Sequence, residues 1–105
     1  MEYIHIYDNR TVVVSESDKT TIRVFGNASP TIVTVQECEP TIYCNNTSTP
    51  RVWVFGNSKP LIVVSDHAHP AIHANDESHP EVWTYDTVRT TIETSDKASV
   101  TLKNR

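Results

Sequence analysis

TIRVFGNASP TIVTVQECEP TIYCNNTSTP RVWVFGNSKP LIVVSDHAHP AIHANDESHP, Thr21 to Pro80, is one ten-residue unit written six times. Each copy closes on proline, at Pro30, Pro40, Pro50, Pro60, Pro70 and Pro80, and carries an apolar residue second, from Ile22 and Ile32 to Ile62 and Ile72. The frame extends both ways without a gap. TVVVSESDKT precedes it, EVWTYDTVRT and TIETSDKASV follow, TLKNR is a final fragment, and IHIYDNRT (4–11) reads as a shortened copy. Internal repetition of this regularity governs the whole fold reading.

Within a unit the apolar period is two. Position two is always apolar and position four small or β-branched, as at Val24, Thr34, Cys44, Val54, Val64, Ala74 and Thr84. Alternate residues of a strand share a face, so positions two and four point inward together. Position six is mostly a turn former (Gly26, Asn46, Gly56, Asp66, Asp76, Asp86, Asp96), and position eight is usually small (Ala28, Cys38, Ser48, Ser58, Ala68, Ser78). A proline every ten residues excludes helix. It suits a corner where the backbone owes no hydrogen to a ladder. One short strand with a single apolar side cannot bury that side, whereas a stack of such strands can. The sequence therefore predicts an all-β, single-domain parallel β-solenoid over residues 1–105, with 1–11 as an irregular N-terminal capping unit, 12–100 as decapeptide repeats and 101–105 as the C-terminal end.

Likeness between units sharpens at an offset of thirty, where TIRVFGNASP falls on RVWVFGNSKP and then on EVWTYDTVRT. That superperiod predicts a triangular coil of three strands and thirty residues. On such a coil one side would carry Arg23, Trp53 and Trp83 in one outward column and Phe25, Phe55 and Tyr85 in the next. An exposed patch of large aromatic groups marks an interface, which makes these six the candidate interface or ligand-binding residues.

Composition narrows the function classes. The net charge is −4 with both signs scattered, and a nucleic-acid binder concentrates Lys and Arg on one face. No apolar run approaches the roughly 20 residues of a membrane span. The start, Met1-Glu2-Tyr3-Ile4-His5, shows neither the basic nor the apolar region of a signal peptide. Cytoplasmic synthesis or a virion component is the expected setting.

The units TIRVFGNAS and RVWVFGNSK resemble a strand-turn repeat of some bacterial and phage-encoded proteins, roughly Thr-Val-x-Ala-Tyr-Gly-Ser-Ala. The opening IHIYDNRTVVVSESDKTTIRVFGN is also similar, more weakly, to phage spike β-helices, in which three chains intertwine. The first resemblance implies a β-solenoid and carries no catalytic residues. The chain departs from the second, since proline rather than glycine closes its units.

Reactive side chains are densest in SDHAHPAIHANDESHP, where His67 and His69 form a His-x-His pair of the kind that grips zinc or nickel. Polar corner residues in water are the simpler reading, and no cofactor is called for. Cys38 and Cys44 fall at inward positions and read as small core fillers. Without a nucleophile elbow or a phosphate-cradling glycine loop, the chain reads as non-enzymatic. The leading expectation is a structural or assembly module, a homo-oligomer with a trimer favoured. Binding of a polysaccharide along the aromatic column is the alternative, and a metal-holding tip the third.

Overall fold

A computed structural model describes residues 3–15, 19–65, 67–85, 90–95 and 97–104. Asp66, Asp86 and Asp96, three of the expected turn formers, lie outside the described residues. The described chain forms eleven four-residue strands: β1 (Tyr3–Ile6), β2 (Thr11–Val14), β3 (Thr21–Val24), β4 (Thr31–Thr34), β5 (Thr41–Cys44), β6 (Arg51–Val54), β7 (Leu61–Val64), β8 (Ala71–Ala74), β9 (Glu81–Thr84), β10 (Thr91–Thr94) and β11 (Thr101–Asn104). All pairings are parallel. Odd strands make one sheet in the order β1-β3-β5-β7-β9-β11, and even strands make the other, β2-β4-β6-β8-β10. The chain is a β-solenoid with one strand per ten-residue unit.

The thirty-residue coil is not the one that forms. Thr21 pairs with Thr41 and Thr31 with Arg51, so each coil takes twenty residues and two strands. Units ten, twenty or thirty apart present the same inward pattern, and resemblance between units cannot say which one lies on which. Volume decides instead. Only position two is regularly large, and positions four and eight are small. Such side chains would leave a three-walled prism hollow, whereas two facing sheets close on them at native density.

Burial follows the unit closely. Ile22, Ile32, Ile42, Val52, Ile62, Ile72 and Val82 at position two are fully buried, as are Val24, Cys44, Val54 and Val64 at position four. Ala28, Cys38, Ser48, Ser58, Ala68 and Ser78 at position eight are buried too, and so are the six closing prolines. Cys38 and Cys44 are not joined in a disulfide, and the Cys38 thiol donates to the Val14 carbonyl at 3.5 Å. Burial pushes the Cys44 thiol up to about 12, which suits a core filler and not a nucleophile.

The turn between positions five and eight explains the polar residues. The N–H of position eight donates to the carbonyl of position five, as Ala28 to Phe25 (3.3 Å), Ser48 to Asn45 (3.2 Å) and Ser78 to Asn75 (3.3 Å). Where position eight is serine its hydroxyl donates to the same carbonyl, at 2.7 Å from Ser48, 2.8 Å from Ser58 and 2.7 Å from Ser78. These serines are buried yet satisfied. Position six takes a positive φ at Gly26 (63°), Asn46 (58°), Gly56 (68°) and Asp76 (59°), and also at Gln36 (60°), which turn chemistry did not mark.

The ladder has a direction. N–H groups at positions one, five, seven and nine donate to carbonyls at positions ten, four, six and eight of the preceding coil, as Thr41 to Thr20, Asn45 to Val24, Thr47 to Gly26 and Thr49 to Ala28. Position ten donates to nothing in this scheme, which is why proline fits there.

The two ends differ from the middle. At the start, β1 pairs with β3 at an offset of eighteen (Tyr3 on Thr21), because the loop after β1 is two residues short. Side chains repair that loop: Asn9 Oδ1 accepts from the Ser29 N–H at 2.8 Å, and Arg10 Nε donates to Asp8 Oδ1 at 2.9 Å. The hydrogen bond from Arg10 holds the Asp8 carboxyl below its ordinary range. At the other end TLKN forms β11, continuing the ladder on β9, and Leu102 at its inward position is 57% exposed. Ile92, Ala98 and Val100 are only partly buried.

Candidate functional site: outward ladders

Outward side chains stack at twenty-residue intervals into columns. On the odd sheet the column at position three is His5, Arg23, Tyr43, Val63, Trp83, Lys103. The Arg23 guanidinium lies over the Tyr43 ring, 4.5 Å from its centroid, and Lys103 Nζ lies 5.6 Å from that of Trp83. Trp83 Nε1 donates to the Glu81 carboxylate, which also meets Lys103 at 3.8 Å. Beside them Tyr7 stacks on Phe25 (5.1 Å, 16°) and His5 meets Phe25 edge-on (5.7 Å, 79°). On the even sheet the column is Val13, Val33, Trp53, His73, Glu93. His73 stacks on Trp53 (4.3 Å, 14°), and its Nδ1 lies 3.2 Å from Glu93 Oε2. Phe55 lies parallel to Trp53 at 6.4 Å and 4°.

The six residues singled out in sequence therefore do not share a face. Arg23, Phe25, Trp83 and Tyr85 belong to the odd sheet, with Trp53 and Phe55 on the even one. Thirty residues is one and a half coils, which carries each successive member to the opposite side. Even on the odd sheet Arg23 and Trp83 are separated by β5 and β7. Sequence reading missed the true ring partners, Tyr43 for Arg23 and His73 for Trp53. Comparison at an offset of twenty shows both.

Rings in these columns stack along the solenoid axis, with strand neighbours about 4.8 Å away on either side. Arg23, His73 and Lys103 each cover a ring face of a neighbouring coil.

Polar columns do the same work at the corners. Ser29 and Thr49 hydroxyls meet at 2.5 Å, Ser65 donates to Asn45 Oδ1 at 2.9 Å, and the Gly56 N–H donates to Asp76 Oδ2 at 2.9 Å. Thr47 with Asn27, and Ser95 with Asn75, are further pairs twenty residues apart.

The histidines are dispersed by the two-strand coil. His67 and His69 are exposed on the corner after β7, and His79 sits on the opposite corner, bonded through Nδ1 to the Ser99 hydroxyl at 2.8 Å. Among the described residues no group of three or more His, Cys, Asp or Glu side chains is placed to hold a metal ion. A shallow groove of about 580 Å³ runs along the even-strand corners between Lys19, Glu37, Glu39, Lys59, Glu77 and His79. Its lining is exposed and of mixed sign, as expected of a solvated corner.

No family model, no curated protein and no solved structure matches this chain.

Proposed function

We propose that this chain is a non-enzymatic structural module, a short β-solenoid rod braced along its outward ladders. The observation that carries the reading is the set of side-chain bonds that tie successive coils at the corners, as Ser65 to Asn45 Oδ1 at 2.9 Å and the Gly56 N–H to Asp76 Oδ2 at 2.9 Å.

The aromatic columns support the same reading in a different way from that expected of them. Their faces are engaged with neighbouring coils, so they stiffen a rod. A polysaccharide would need those faces for sugar stacking, which makes carbohydrate binding the weaker alternative. A closed trimer would need one lateral seam, and the large side chains are divided between two sheets.

The test is urea unfolding of the wild type and of the double variant Trp53→Ala/Trp83→Ala, together with a glycan panel read by tryptophan fluorescence. The double variant should be less stable by at least about 1 kcal/mol, since a stacked ring pair contributes about 0.5–1.5 kcal/mol beyond its area, and no glycan should change the wild-type fluorescence. Unchanged stability together with a saturable glycan response would overturn the proposal.

A further inference from the structure

We infer that His67 and His69 form a two-histidine chelate for a divalent transition ion of the zinc, copper and nickel class, on the corner after β7. The inference stands apart from the rod reading above. The His67 N–H donates to the Asn46 carbonyl and the His69 N–H to the Ser48 carbonyl, each at 2.9 Å and both in the neighbouring coil. Ala68 between them is fully buried, while both histidines are exposed. Alternating burial, with N–H groups two apart donating in one direction, is the pattern of extended backbone, which sends the side chains of residues two apart to one face. The two imidazoles therefore leave the corner side by side. The ladder already fixes their backbone, so closing a chelate needs only rotation of two rings.

The other histidines are occupied. His5 meets Phe25 edge-on, His73 lies against Trp53 and Glu93, and His79 is bonded to the Ser99 hydroxyl. Among the described residues the rings of His67 and His69 have no side-chain partner. The columns they continue are closed on themselves in the preceding coils: Thr49 meets Ser29 at 2.5 Å, and Thr47 pairs with Asn27. Histidine thus replaces a hydroxyl residue in two adjacent columns at the same coil. Imidazole nitrogens bind these ions at about 2.0–2.1 Å, so a shared ion holds two of them no more than about 4.2 Å apart. Alternate Cα atoms of extended backbone lie about 6.6 Å apart, and inclining the exposed ring tips toward each other closes that gap. Water completes the coordination sphere, since no group of three or more His, Cys, Asp or Glu side chains forms among the described residues. Imidazole suits this class of ion, with copper bound most tightly.

Isothermal titration of untagged protein with nickel chloride, in a buffer that does not bind the metal, tests the chelate. The wild type should take up one ion per chain. His67→Asn and His69→Asn should each weaken binding at least about tenfold, because two linked ligands hold an ion at an effective concentration that one ligand lacks. His79→Asn, on the opposite corner, should leave the affinity unchanged. A second measurement needs no variant: substoichiometric nickel, which is paramagnetic, should broaden the imidazole proton signals of His67 and His69 before those of His5, His73 and His79. Losses of only about twofold at each position would mean two independent single-ligand contacts and overturn the chelate. Unchanged affinity in both variants, broadening that begins at another histidine, or no uptake of nickel would overturn it as well.

Discussion

Gly26 and Gly56 hold the same place in the unit and nearly the same backbone, with φ of 63° and 68°, yet their surroundings differ. A Cβ on Gly56 would come within 2.9 Å of the Gln36 backbone nitrogen, whereas one on Gly26 meets nothing within 4 Å. Beneath Gly56 lies a full turn; beneath Gly26 lies the short loop Tyr7–Arg10. Both alanine substitutions incur the left-handed backbone penalty of about 1–2 kcal/mol. Gly56→Ala should lose more, by at least about 1 kcal/mol beyond Gly26→Ala in urea unfolding, because backbone atoms must shift. Equal losses would show that the turns at 36 and 56 do not stack. A second pair separates core from end. Ile62 is fully buried and Leu102 is 57% exposed, so Ile62→Ala should cost about 2–5 kcal/mol. Leu102→Ala should stay within about 0.5 kcal/mol. A large loss at Leu102 in the monomer would mean that its side chain is covered.

At the scale of strands, each element is stable only through its neighbours. A four-residue strand with two inward side chains has no independent fold, and stability is a sum over adjacent coils. The inner strands β3 to β9 have a paired strand on both edges, while β1, β2, β10 and β11 have one. Inward residues of β10 are also less buried: Ile92 is partly covered and Thr94 exposed. Amide hydrogen exchange on dilute protein should therefore show strongest protection in β5 to β7, falling towards β10 and β11. Protection at β10 equal to that at β6 would contradict the one-dimensional picture.

For the whole molecule, the two-strand coil produces a flattened body of 30 × 26 × 19 Å, with two outward ladders and two unlike ends. Its reactive side chains are distributed by that geometry. His69 and His79, ten residues apart, occupy opposite corners, and the six large side chains that looked like one face are shared between two.

Strand spacing, inward and outward alternation, the turn at position six, the buried small residue at position eight and the tolerance for proline were all legible in the sequence. They are local, set by period-two alternation and by the φ and hydrogen-bonding limits of Gly, Asn, Asp and Pro. The number of strands per coil was not legible. Every unit presents the same inward pattern, so a strand meets equally acceptable partners ten, twenty or thirty residues away. Only the closing of two sheets over a core of limited volume selects twenty. That selection then places Tyr43 under Arg23 and His73 on Trp53 and separates Trp53 from Trp83. The candidate site belonged to the tertiary structure, because it consists of which unit lies above which.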